Sequence, residues 1–67
     1  MDGNNKTKIK DLPNGCIVWY KREIIGITGL SLSHEYDDFN VVKVPGNPLD
    51  YELMARKTRN GYVRVEE

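Results

Sequence analysis

The sequence predicts a mainly β protein, a single small domain closed as a five-stranded antiparallel barrel. Three observations lead there. Short runs rich in β-branched and aromatic residues recur along the chain, as in Cys16-Ile17-Val18-Trp19-Tyr20 and Val41-Val42-Lys43-Val44. Turn-forming residues separate them, at Pro13-Asn14-Gly15, Pro45-Gly46-Asn47-Pro48 and Asn60-Gly61. With 67 residues the chain has apolar material for one core, and closing the sheet on itself removes exposed strand edges. A compact chain of this length has a radius of gyration of about 11 Å.

Residues 1–10 are polar, rich in Asn and Lys, and read as a flexible tail, leaving residues 11–67 as the single β domain. The first strand follows Gly15. Cys16, Val18 and Tyr20 share one face and Ile17 and Trp19 the other, so both faces are apolar. Lys21-Arg22-Glu23 makes a tight connection into a long second strand, residues 24–33. There Ile25 and Ile27 fall on one parity and Leu30 and Leu32 on the other, which predicts a bend or bulge at Gly29. After the polar stretch His34-Glu35-Tyr36-Asp37-Asp38, the third strand sets Phe39 and Val41 against Val42 and Val44. Asn60-Gly61 marks a hairpin before the last strand, in which Tyr62 alternates with Val63 and Val65.

Residues 48–59 carry two patterns at once. As a strand they alternate Tyr51, Leu53 and Ala55 with Glu52, Met54 and Arg56. As a helix they have Asn47 as N-cap, Pro48 at the first position, Asp50 and Glu52 in the first turn, and Arg56 and Lys57 at the end. The strand closes a barrel most economically and is preferred. The alternative is an α+β fold with one helix over 48–59.

This order of strands, over residues 15–66, resembles the layout of SH3-like small barrels. That fold hosts many functions and by itself implies no activity. In such folds the loops and one barrel face bind partners, which by resemblance places Tyr20, Tyr36 and Tyr51 in contact positions. Gly29, Tyr36, Asp37 and Val41 are similar to a narrower pattern, that of Sm and Hfq-like RNA-binding proteins, where a strand glycine leads to an aromatic-Asp pair and an aliphatic strand. The helix-forming segment that opens those proteins and their second motif have no counterpart here.

Ten Lys+Arg balance ten Asp+Glu, which argues against the strongly basic stripe of a sequence-independent nucleic-acid binder. The charges are nonetheless unevenly spread. Lys6, Lys8 and Lys10 make the front basic; Glu35, Asp37, Asp38, Asp50 and Glu52 make the middle acidic; Arg56, Lys57, Arg59 and Arg64 make the end basic. The lone Cys16 rules out an internal disulfide and a cysteine zinc cage, and points to a reducing, cytoplasmic setting. No apolar run approaches the roughly 18 residues of a membrane span, and the polar start lacks a signal-peptide core.

The cluster His34-Glu35-Tyr36-Asp37-Asp38 has the residue types of a Zn or Mn site. In an extended stretch, however, its side chains alternate between two faces and do not converge, so it reads as a solvated tip. Ser31 and Ser33 beside His34 lack an acid placed to orient the ring. Cys16, at the head of an apolar strand, reads as a core residue. Gly26 and Gly29 lack the Lys-Ser/Thr and helix of a phosphate loop. No enzyme, cofactor or metal is therefore expected.

What remains is a surplus of aromatic and arginine side chains, the types that dominate protein interfaces. The expectation is a non-enzymatic module that binds a protein partner, as an adaptor or inhibitor, through Trp19, Tyr20, Tyr36, Tyr51, Arg56, Arg59 and Tyr62. By analogy, solitary modules of this kind are often encoded by phages and other mobile elements. The alternative is single-stranded nucleic acid, gripped by Lys6, Lys8, Lys10, Arg56, Lys57, Arg59 and Arg64 with Tyr62 stacking on a base.

Overall fold

The structure, a computed structural model, describes residues 6–65. Seven strands run in chain order: β1 Lys6–Lys8, β2 Ile17–Tyr20, β3 Glu23–Ile27, β4 Asn40–Lys43, β5 Asp50–Leu53, β6 Ala55–Thr58 and β7 Gly61–Arg64. Short 3₁₀ turns occupy Ile9–Asp11 and His34–Tyr36, and no α-helix occurs among the described residues. Five strands form one sheet in the order β1-β4-β5-β2-β3, and β6-β7 form a separate hairpin. The Cα radius of gyration, 11.3 Å, is that of a compact chain.

The protein is thus mainly β, but the sheet is open and mixed rather than a closed antiparallel barrel. The departure lies at β2 and β5, which pair in parallel, Ile17 beside Asp50 and Trp19 beside Glu52. The outer strands are then β1 and β3, which do not meet. Of the segment 1–10, residues 1–5 lie outside the described part, whereas Lys6–Lys8 pair antiparallel with β4 and Ile9 enters the core. A short, lysine-bearing strand is well suited to a sheet edge, where charge discourages pairing with other chains.

The helix alternative for 48–59 is overturned. Its capping residues are spent on turns instead: Asn47 donates its amide to the Val44 carbonyl, and the Asn47 carbonyl accepts from Asp50. Asp50 then opens a strand held on both sides, by β4 and by β2. Two ladders outweigh a local preference worth a few tenths of a kcal/mol per residue, about 0.7 kcal/mol at most. Met54 joins the two sheets, donating to the Asn40 carbonyl at 2.9 Å while its own carbonyl accepts from Val65 at 3.3 Å.

β2 and β3 form a hairpin around Lys21-Arg22, both at positive φ (47° and 73°), the handedness that two-residue hairpin turns require. Glu52 Oε2 accepts the Lys21 N–H at 3.0 Å and ties this turn to β5. The parity switch of the second strand occurs earlier than the sequence suggests. Val18 pairs Gly26 and Trp19 pairs Ile24, so Ile25 is the extra residue of a bulge, and the strand ends at Ile27. Gly29, at φ +75°, belongs to the turn that follows.

That turn folds back on the strand. The Ile27 carbonyl accepts from the amides of Leu30, Ser31 and Leu32 at 3.0–3.1 Å, and Ser31 Oγ accepts from the Ile27 N–H. A Cβ at Gly26 would lie 2.7 Å from Leu32 Cα, so only glycine admits this approach.

The core lies on one face of the sheet. Ile9, Val18, Tyr20, Phe39, Val41 and Leu53 are buried together, with Leu12, Ile25, Leu32, Tyr36, Tyr51, Ala55 and Tyr62 packed against them. The β6-β7 hairpin and the 30–39 segment supply the cover. Cys16 is buried and free. Its amide donates to Thr28 Oγ1 at 2.9 Å, and that hydroxyl donates to the Pro13 carbonyl at 2.7 Å.

Candidate functional site

The second face of the sheet carries an apolar strip. Alternation places Ile17 and Trp19 opposite Val18 and Tyr20, and the register sets Ile27 beside Ile17 and Ile24 beside Trp19. Val42 continues the face across Glu52. None of Ile17, Trp19, Ile24, Ile27 or Val42 belongs to the core cluster or packs against it. Ile24 is 55% exposed.

Two exposed leucines are tethered at one end of this strip. Leu30, 80% exposed, bonds its amide to Ile27, and Leu49, 53% exposed, receives the Ile17 amide on its carbonyl. Carboxylates flank the strip on β5, where Asp50 neighbours Ile17 and Glu52 neighbours Trp19. Trp19 Nε1 is buried and meets no acceptor among the described residues, and the nearby Glu52 carboxylate accepts the Lys21 amide instead.

The covered face has an aromatic cluster at its margin. Tyr62 meets Tyr20 edge-on with ring centroids 4.9 Å apart, and Tyr36 lies 6.0 Å from Tyr62 and 5.2 Å from Phe39. The Tyr20 hydroxyl accepts the Lys57 amide at 3.2 Å, pinning the hairpin to the sheet. Burial, and secondarily the negative charge of Glu35, holds the Tyr36 hydroxyl above its usual pKa of 10.0.

Beside this cluster Tyr20, Lys21, Glu23, Lys57 and Tyr62 line a groove of about 310 Å³. The Lys57 ammonium sits over the Tyr62 ring at 4.7 Å and the Lys21 ammonium over the Tyr20 ring at 5.6 Å.

Of the seven residues that the sequence singles out, Trp19 lies on the apolar strip. Tyr20, Tyr36 and Tyr62 come together on the covered side, Tyr20 as core. Tyr51 is half-buried against the core, with Lys43 as its cross-strand neighbour. Arg56 pairs with Val63, across the hairpin from the Tyr62 side, and Arg59 is exposed in the hairpin turn. Lys21, Glu23, Ile24 and Leu30 were not among the seven. Their signal is positional: Lys21 opens a two-residue turn, Glu23 follows it on the Tyr20 side, and Ile24 comes next on the opposite side.

The charged front meets the acidic middle in the fold. Lys10 Nζ lies 3.4 Å from Asp38 Oδ1, and Lys8 Nζ donates to the Asp38 carbonyl at 3.2 Å. The His34-Glu35-Tyr36 stretch is a 3₁₀ turn in which Ser33 Oγ accepts the Glu35 amide. His34 Nδ1 is 3.4 Å from Asp37 Oδ2, with its side chain almost wholly in solvent. A depression of about 180 Å³ beside it is lined by Lys10, Asn14, Thr28, His34 and Asp37 among others, but the Thr28 hydroxyl is engaged on both sides. No three His, Cys, Asp or Glu side chains among the described residues come together as a ligand set. No described helix is long and apolar enough to cross a membrane.

Compared with protein-family models, with curated proteins and with solved structures, the chain finds no match in any of the three.

Proposed function

We propose that the protein is a non-enzymatic binding module that acts by contact with a partner protein, as an adaptor or inhibitor, through the uncovered face of its sheet. The observation that carries this reading is the strip of Ile17, Trp19, Ile24, Ile27 and Val42, with Leu30 and Leu49 exposed at its end. Apolar surface left in water is unfavourable at about 25 cal/mol per Å², so a partner that covers the strip gains what folding leaves unused. Asp50 and Glu52 alongside suit a partner surface that mixes apolar and basic side chains. The buried thiol of Cys16 accords with a reducing compartment.

Single-stranded nucleic acid, the rival occupant, has less support. Lys8 and Lys10 bond within the fold, Arg56 lies away from Tyr62, and the Tyr62 ring is already met by Tyr20, Tyr36 and Lys57.

Immobilised protein is expected to capture a partner from an extract of its host. Ile24→Asp should retain the fold, because the side chain is exposed, and should weaken capture by about tenfold, or about 1.4 kcal/mol. Capture that is unchanged in both Ile24→Asp and Leu30→Asp rules out the strip as the contact surface.

A further inference from the structure

The groove beside the aromatic cluster has no part in contact through the open face, and its composition specifies a ligand. Two ammonium groups, on Lys21 and Lys57, line the same groove. Among the described residues neither lies within ion-pair distance of a carboxylate; each rests on a tyrosine ring instead. A ring face attracts a cation but accepts none of its N–H bonds in full, so both ammonium groups keep donors available for an anion.

The groove is also held in shape. Lys21 sits in a turn clamped by Glu52, the Lys57 backbone is bonded to the Tyr20 hydroxyl, and Tyr62 is wedged against Tyr20. A site with its cations already in place loses little freedom when it binds.

We infer that this groove binds a carboxylate-bearing peptide segment, with side-chain carboxylates of the ligand seated between Lys21 and Lys57. Two features favour a peptide over a polyanion. Glu23 forms part of the wall, and its carboxylate can accept a peptide N–H, a donor that an ionised phosphate lacks. The tyrosine rings are committed to each other and to the lysines, which leaves no free face on which a base could stack. Lysine over tyrosine then acts as a point-charge receptor whose affinity falls with salt.

The test titrates the full chain at low salt with a blocked Glu-Asp-Glu tripeptide, its Gln-Asn-Gln counterpart and a hexauridylate RNA, following the Lys57 amide and Tyr62 ring signals by NMR. Saturable shifts with the acidic peptide alone are expected. Lys21→Gln and Lys57→Gln should each weaken the binding about fivefold, with unchanged melting temperatures because both side chains are exposed. Ile24→Asn, which adds no charge beside Lys21, should bind the peptide as the parent does, which separates this site from the sheet face. Absence of saturable shifts, equal response to the neutral peptide, or tighter binding of the RNA at the same signals would overturn the inference.

Discussion

The two faces of the five-stranded sheet are built from the same kinds of residue and meet opposite fates. On one face Val18, Val41 and Leu53 lie under the β6-β7 hairpin and the 30–39 segment; on the other Ile17, Trp19 and Ile27 are half-buried and Ile24 is exposed, all outside the core cluster. Side-chain type does not distinguish them, since valine and leucine on one side answer to isoleucine and tryptophan on the other. Coverage does, and coverage is decided by which way the chain leaves β5 at Met54. An apolar side chain becomes core or contact surface according to where the last hairpin lands.

The sharpest way to break this comparison is a matched pair of truncations. Leu53, 3% exposed, should cost about 3 kcal/mol as Leu53→Ala, from lost transfer energy and the cavity left behind. Ile24→Ala should change stability by less than about 0.5 kcal/mol in a urea titration. Similar losses at the two sites would mean that the open face is covered in solution, by a second copy or by residues outside the described part.

A smaller effect of opposite sign belongs to the open face. Trp19→Phe removes a buried indole N–H without an acceptor, a group whose desolvation costs about 1–3 kcal/mol, while giving up some ring area. The net expectation is a gain of about 0.5 kcal/mol, read as a higher denaturation midpoint. A clear loss would show that the indole donor is satisfied in solution.

The smallest effect concerns the margin of the covered face, and it depends on pH. Because burial raises the folded-state pKa of Tyr36, the folded protein holds the phenolic proton more tightly than the unfolded chain does. Stability from this source is complete below the unfolded value near 10.0 and is lost as pH rises from there through the folded value. Tyr36→Phe should therefore flatten the alkaline limb of the stability profile. An unchanged limb above pH 10 would place the tyrosine in solvent.

Much of the sheet was legible in the sequence because its signals are local. The alternation of Cys16 to Tyr20 orients β2 correctly, Phe39 and Val41 are core, and a hairpin does turn at Asn60, one residue earlier than expected, with Gly61 opening β7. What was not legible depends on distant partners. The parallel pairing of β2 and β5 joins segments whose own patterns suit either orientation, and it is that pairing which leaves the sheet open. β1 escaped notice because an edge strand needs no apolar alternation. The bulge at Ile25 was displaced to Gly29 in the sequence because glycine marks both bends and turns, and here Gly29 serves the turn. Of the candidate site, Trp19 was visible from alternation, whereas Lys21 on Tyr20 and Lys57 on Tyr62, each a local pair, share one groove only when the hairpin docks.

The parallel pair has a further consequence, in time rather than in space. The β2-β3 and β6-β7 hairpins close loops of a few residues, events on the scale of about 1–10 μs. Bringing Ile17 beside Asp50 closes a loop more than thirty residues long before any contact rewards it, and β5 stands between β4 and β2 at the centre of the sheet. The two halves of the sheet thus meet only when β5 inserts, so loop-closure entropy predicts that β2-β5 pairing is a slow step of folding. Until that step is complete, the edges of β2 and β4 that β5 will occupy stay open, and it is during this interval that the chain is most exposed to pairing with its own kind.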